Sequence, residues 1–254
     1  MIPKVIHYCW FGGNKLPNSV ERCIASWKKY CPDYKIIQWN EDNFDVRSNS
    51  YIDEAYKMKK YAFVSDYARL DIIYTYGGIY LDTDVELVKP LDEILNNKCF
   101  MALEQPDRVA TGLGFGAIKG SKFVKLNLDE YKNEHFYQNG IKNNKTCIDY
   151  TMSALNKVNC SVNCGSLKNS AFQEITIYPQ RYFCPYNLKT RKLNVTEDTI
   201  AIHHYDATWY SQNNLVNKIQ RSLIPVKMYI HQGLDWIFGT GTYNRLKHIL
   251  KRGS

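Results

Sequence analysis

The residues of this chain best equipped for chemistry stand in GGIYLDTDVEL, residues 77–87, where Asp82 and Asp84 follow an apolar run one residue apart. If the run continues as a strand, alternate side chains share a face, so Tyr80, Asp82 and Asp84 line one side and Ile79, Leu81 and Thr83 the other. Like charges that close repel unless something positive lies between them. Two readings fit: a polar strand exit, or oxygen ligands for a hard divalent cation such as Mg²⁺ or Mn²⁺, which keeps part of its water and bridges substrate phosphates.

Asp66 and Arg69 stand three apart on the preceding helical segment, one step off its apolar stripe. Alone they read as an intrahelical ion pair. The Gly77-Gly78 turn, however, folds the next strand back beside that helix, so Asp66, Arg69, Tyr80, Asp82 and Asp84 are expected to converge. Three acids, an arginine and a tyrosine suit a sugar held through its hydroxyls beside a metal-bound diphosphate. A further candidate lies in IHHYDATW, 202–209, where a histidine after a buried strand either completes an Mn²⁺ site or serves the core. GLGFGAIKG, 112–120, contains a glycine spacing that imitates a dinucleotide fingerprint, but its glycines alternate at period two and Lys119-Gly120 blocks the helix that should follow. Glu104, at the end of the preceding strand, is expected to face the same cleft.

These residues need a scaffold. PKVIHYCW (3–10) reads as a buried strand, Ser19 to about Tyr30 as a helix with Val20, Cys23, Ile24 and Trp27 on one face, and YKIIQWN (34–40) as a second strand. Strand, helix and strand in this order make a βαβ unit, hence a parallel pair with a right-handed crossover. A long helix is expected over 53–76, with Phe63, Tyr67, Leu70 and Tyr74 as its stripe and Gly77 as its C-terminal glycine. Strands follow near 99–104 and 112–118, a helix over 121–137, and strands at 175–179 and 199–205. From about Asn214 the pattern turns helical. The alternation is that of an α/β fold with a mostly parallel central sheet and a helical C-terminal extension. The expected division is a catalytic domain over 1–210 and the extension over 211–254.

With 254 residues and 44% apolar content the chain can build a sizeable core. No stretch reaches the roughly 18 apolar residues of a membrane span, and the opening MIPKVIHYCWFGG turns polar too early for a signal peptide. The eight cysteines form no CxxC pair, which reads as reduced thiols of a cytoplasmic protein. Net charge is +8, and the residues from Ser211 onward contribute +6 of it: seven lysines and arginines against Asp235. Basic residues beside Leu215, Ile219, Leu223 and Ile230 suit an anionic membrane surface, giving peripheral attachment at the inner face of the plasma membrane; a solvated basic face is the plainer alternative. No recognition motif accompanies the charge, which argues against nucleic acid.

The run YAFVSDYARLDIIYTYGGIYLDTDVEL (61–87), with IPKVIHYCWFGG and CIASWKKYCPDYKIIQWNED before it, resembles glycosyltransferases that contain a DXD sugar-binding region. This is family 32, with capsular polysaccharide enzymes and fungal mannosyltransferases, and it is related to the clostridial glucosylating toxins. The resemblance implies a GT-A fold, a nucleotide-sugar donor (a UDP-sugar ahead of a GDP-sugar), Mn²⁺ or Mg²⁺, and a glycan acceptor, lipid-linked in some relatives. It implies that Trp10 stacks on the base with Phe11 and Gly12 beside it, Ser65 lies near the nucleoside, Asp66 and Arg69 hold the sugar hydroxyls, and Tyr80 packs on the donor. Asp82 is then shared between donor and metal, Asp84 ligates directly, and His204 and Trp209 supply a metal ligand and a diphosphate contact. Thr208 departs from the serine more common there. Retention of anomeric configuration is implied; with no nucleophile evident, same-face substitution follows, the leaving phosphate taking the acceptor proton. The competing expectation is a catalytically silent nucleotide-sugar-binding module in a membrane glycan-assembly complex.

Overall fold

Among the described residues, buried apolar runs form the strands of a central sheet and helices cover it. The computed structural model describes residues 1–160, 162, 165–167, 175–187 and 192–205; the expected extension over 211–254 lies outside them. In chain order the elements are β1 (Val5–Cys9), α1 (Asn18–Tyr30), β2 (Lys35–Trp39), α2 (Ser50–Lys57), α3 (Tyr61–Tyr76), β3 (Gly78–Tyr80), β4 (Val85–Leu87), β5 (Cys99–Gln105), β6 (Arg108–Ala110), β7 (Phe115–Ala117) and α4 (Lys122–Asp129). Then come β8 (Tyr137–Gln138), β9 (Ile141–Lys142), α5 (Cys147–Lys157), β10 (Gly165–Leu167), β11 (Ile175–Tyr178), α6 (Gln180–Phe183), β12 (Tyr186–Asn187), β13 (Lys192–Leu193) and β14 (Ala201–His203).

The central sheet has eight strands in the order β10-β11-β5-β7-β3-β1-β2, with β6 on β5. β1 pairs in parallel with both β2 and β3, and β5 with β11. β7 runs against both its neighbours, β3 and β5. The sheet is therefore mostly parallel in strand direction, with β7, β6 and β10 reversed. β14 forms a separate antiparallel pair with β4.

α1 buries Val20, Cys23, Ile24 and Trp27, and the Trp27 indole N–H donates to the Val85 carbonyl at 2.8 Å, tying the helix to the segment just past the acidic turn. α3 buries Val64, Ala68, Leu70, Ile72 and Ile73, while Phe63, Tyr67 and Tyr74 are half-buried. It packs on α2 and α4 as well as on β1, so it is apolar nearly all round rather than striped.

Two expected helices are shorter than their patterns suggest. The single helix over 53–76 is two, separated at Lys59, whose φ is +55°. The Lys59 N–H reaches the Tyr56 carbonyl and the Lys60 N–H the Ala55 carbonyl, both at 2.8 Å. That is a Schellman ending with a lysine where glycine is usual, so no sequence signal marks it. The helix expected over 121–137 stops at Asp129, because Tyr131 and Phe136 are drawn into the core at a spacing a helix cannot serve. Within GLGFGAI only Phe115–Ala117 is strand; the glycines before it form the loop that reaches the acidic turn.

Candidate active site around Arg69 and the acidic turn

β3 ends at Tyr80, and the chain then turns: the Val85 N–H donates to the Asp82 carbonyl at 3.0 Å. Asp82 and Asp84 are thus neighbours on a turn, not alternate positions of one strand face, because the backbone leaves the sheet before either is reached. Gly77 and Gly78, at φ +69° and +107°, make the turn from α3 into β3. A side chain on Gly77 would come within 2.7 Å of the Lys119 backbone nitrogen.

Arg69 is the hub. Its Nη2 lies 3.1 Å from Asp66 Oδ1 and 3.0 Å from Asp82 Oδ1. Its Nη1 meets Thr111 Oγ1 at 3.4 Å and Cys147 Sγ at 3.8 Å. The guanidinium stands 5.0 Å over the Tyr80 ring, and the Tyr80 hydroxyl donates to Asp82 Oδ1 at 3.0 Å. With its side chain only 4% exposed, Arg69 sits in low dielectric. Burial disfavours its charge, but Asp82, Tyr80 and Asp66 outweigh it and hold the guanidinium protonated. Burial pushes Asp66 up to about 6 against the opposing pull of Arg69, and it also raises Asp82. Cys147, first residue of α5, meets Asp66 with its thiol and its backbone N–H. Gly112 closes the other side: a Cβ there would lie 2.3 Å from Asp82 Oδ2, so only glycine lets this loop approach.

The imidazole beside the acids is His203, where the sequence pointed to His204. β14 pairs with β4 so that His203 lies opposite Val85 and Ile202 opposite Glu86. His203 Nε2 is then 3.2 Å from Asp84 Oδ1, while His204 turns outward to Glu86 at 2.8 Å. Strand parity decides between them, and it depends on where β14 stops. Burial works against charging His203, but Asp84 dominates and carries it up to about 9. Ligand atoms of Asp82, Asp84 and His203 lie within 4.8 Å of one another. Two carboxylates and an imidazole form a donor set suited to a divalent cation of the Mn²⁺ type. The His203 Nδ1 is buried without a hydrogen-bond partner, a further mark of a position built for a ligand.

The expected base-binding residues are next door, off the end of β1. Trp10 is half-buried, its indole N–H on the Asn14 carbonyl at 2.7 Å. Phe11 is buried on Phe44 at 5.9 Å between ring centres, so it anchors this loop in the core. The Gly12 N–H donates to Glu41 Oε1 at 2.6 Å, and the Tyr56 hydroxyl meets the same oxygen at 3.0 Å. Ser65, half-buried on α3, bonds back to the Tyr61 carbonyl at 3.1 Å. Trp209 and Thr208 lie outside the described residues. Thr111, Gly112, Cys147 and His203 join the site without having been singled out, and of these only Gly112 stood in a stretch with a legible glycine pattern.

Residues 17–101 match the family described as glycosyltransferase sugar-binding region containing DXD motif. Residues 17–101 thus resemble the DXD-containing sugar-binding region of glycosyltransferases. Inositol phosphoceramide mannosyltransferase 3 of Schizosaccharomyces pombe is 30% identical over 150 residues, covering 53% of this chain and 40% of the relative. An uncharacterised glycosyltransferase of Acanthamoeba polyphaga mimivirus is 29% identical over 202 residues, covering 76% of each. The chain spans 40% and 33% of the lengths of the two fission-yeast mannosyltransferases it matches. Among solved structures the PaToxG glycosyltransferase aligns at TM-score 0.48 and 21% identity, covering 61% of this chain and 69% of that one. The α/β architecture with its mostly parallel central sheet is the fold class expected from the alternation of strands and helices in the sequence.

Proposed function

We propose that the chain is a metal-dependent, retaining glycosyltransferase that moves a hexose or N-acetylhexosamine from a nucleotide-sugar to a glycan acceptor in capsule, exopolysaccharide or lipopolysaccharide synthesis. The observation that carries this reading is Arg69 bridging Asp66 and Asp82 directly beside the Asp82–Asp84–His203 group. Sugar hydroxyls would exchange hydrogen bonds with Asp66 and the guanidinium, which is pre-oriented and already desolvated. Asp84, His203 and Asp82 would hold Mn²⁺ or Mg²⁺, and a cation bound there supplies charge neutralisation for the departing diphosphate. Trp10 would offer its half-exposed ring to the base. Thr111 and Cys147 keep the guanidinium in one orientation, and Gly112 lets the backbone close over the sugar side. A UDP-sugar ranks ahead of a GDP-sugar, with mannose among the candidate sugars because the fungal relatives are named for its transfer.

The test is nucleotide release from UDP-glucose, UDP-galactose, UDP-N-acetylglucosamine and GDP-mannose, with Mn²⁺ and after chelation. Release that depends on the cation supports the reading. Thermal stabilisation by nucleotide and Mn²⁺ without release from any donor would favour the silent binding module instead. For the basic residues from 211 onward the proposed role is attachment of a cytoplasmic enzyme to an anionic inner membrane face, where a lipid-linked acceptor would be met. Among the described residues no helix is long and apolar enough to cross a membrane. Equal co-sedimentation with phosphatidylglycerol vesicles with and without 211–254 would remove that role.

A further inference from the structure

The cleft holds one carboxylate to which the site above gives no task. Glu104 stands at the C-terminal end of β5, as Trp10 follows β1 and the acidic turn follows β3. In open α/β sheets ligands bind off these carboxyl ends. Glu104 is half-buried. It lies within electrostatic reach of His203 in the acid–histidine group and of Cys147, which touches Arg69 on the sugar side. The carboxylate is thus close enough to act on both the acid–histidine group and the Cys147 side of Arg69.

It is held there. The Tyr205 hydroxyl donates to Glu104 Oε1 at 3.2 Å and meets Cys184 Sγ at 3.0 Å. The Tyr205 ring packs edge-on against His203 with 4.2 Å between centres. Tyr205 achieves this with φ +55°, a left-handed conformation unfavourable for a bulky residue that persists where the surroundings impose it. The chain leaves β14 through this strained residue and so sets a phenol on Glu104 two residues after His203. Asp66 and Asp82 are engaged by Arg69, and Asp84 by His203. Glu104 takes its hydrogen bond from the Tyr205 hydroxyl, with His203 and Arg108 as its charged neighbours.

We propose that Glu104 is a catalytic residue that holds the acceptor hydroxyl and takes its proton in place of the leaving phosphate, with Tyr205 as its positioning residue. The proposal rests on the transferase reading above. The acceptor oxygen bonds to the anomeric carbon, and the bond from that carbon to the diphosphate oxygen breaks with its electron pair on the diphosphate. The proton passes to a Glu104 oxygen and from there to solvent. A general base placed this way contributes about 10²–10⁴-fold. Water can stand in for the acceptor, so donor hydrolysis reads the residue directly.

The experiment uses the full chain with Mn²⁺ and UDP-glucose, UDP-galactose or GDP-mannose, following nucleotide release, with thermal stabilisation by UDP or GDP plus Mn²⁺ measured alongside. Glu104→Gln is expected to lower release at saturating donor about 100-fold while the stabilisation stays that of the parent. Tyr205→Phe should lower it about tenfold with the half-saturating donor concentration unchanged. Release by Glu104→Gln within about twofold of the parent overturns the proposal, as does loss of the nucleotide–Mn²⁺ stabilisation in step with the rate. Should Glu104→Gln fail to fold, an unimpaired Tyr205→Phe overturns it equally. A parent that releases nucleotide from none of these donors fails the transferase reading itself, and the proposal with it.

Discussion

His7 and His203 are both largely removed from water, and they are poised in opposite charge states. His7, in β1, accepts from the Trp39 indole N–H at Nδ1 and donates from Nε2 to the Gly77 carbonyl, each at 3.0 Å. One donor and one acceptor fix a neutral ring with its proton on Nε2. Burial carries its pKa down to about 4, beyond what the Gly77 carbonyl restores. His203 faces Asp84, with Asp82 and Glu104 further out, and is carried up to about 9 despite burial. Burial alone predicts the same behaviour for both. The partners decide: β1 is a neutral scaffold node, whereas the acidic turn holds its histidine charged.

The largest expected effect comes from removing the positive charge that the acidic region already contains. Arg69→Ala leaves Asp66 and Asp82 facing each other in low dielectric and should cost about 3–5 kcal/mol in urea unfolding. A loss below about 1 kcal/mol would mean the acids relax to solvent and the contrast with the His7 node is overstated. The neutral node is read by pH. A folded pKa near 4 against an ordinary 6.5 means the unfolded chain takes the proton first. The His7 contribution is therefore intact above about pH 6.5 and lost as pH falls toward 4, about 3 kcal/mol in total. His7→Gln should flatten that dependence between pH 7.5 and 4.5; an unchanged slope would assign it to other groups.

Smaller effects separate the two adjacent histidines. His203→Ala should lower Mn²⁺-dependent nucleotide release about 10–100-fold, in the range for disturbed metal sites. His204→Ala, which loses only an exposed pair with Glu86, should stay within about twofold and cost under about 1 kcal/mol. The reverse ranking would return the role to His204. Similarly small is Cys147→Ser, which keeps the backbone N–H on Asp66 and exchanges a thiol for a hydroxyl. A change within about threefold in the half-saturating donor concentration is expected, since a serine hydroxyl can replace the thiol on Asp66 and the backbone N–H stays in place.

Much of the scaffold was legible because it rests on short-range pattern. The β1–α1–β2 unit, the helix carrying Asp66 and Arg69 and the Gly77 ending each follow from local spacing. The break at Lys59 was not legible, because a lysine occupies the left-handed position that glycine usually marks. The early end of α4 was hidden because tertiary burial of Tyr131 and Phe136 overrides its propensity.

By itself the sequence picked out the residues expected at the site: Asp66, Arg69, Tyr80, Asp82 and Asp84 were drawn from two segments joined by a glycine turn. Tertiary structure alone decided how they meet. It placed the two aspartates on a turn instead of a strand face and gave Asp82 to Arg69 and Tyr80. It chose His203 over His204 through the register of β14 on β4, and it brought Gly112, Cys147 and Glu104 from elements far away in the chain. The physical reason is range: periodicity and capping act over a few residues and are written locally. Register, burial and the identity of a charge's partner are set by contacts between distant segments, which no local pattern encodes.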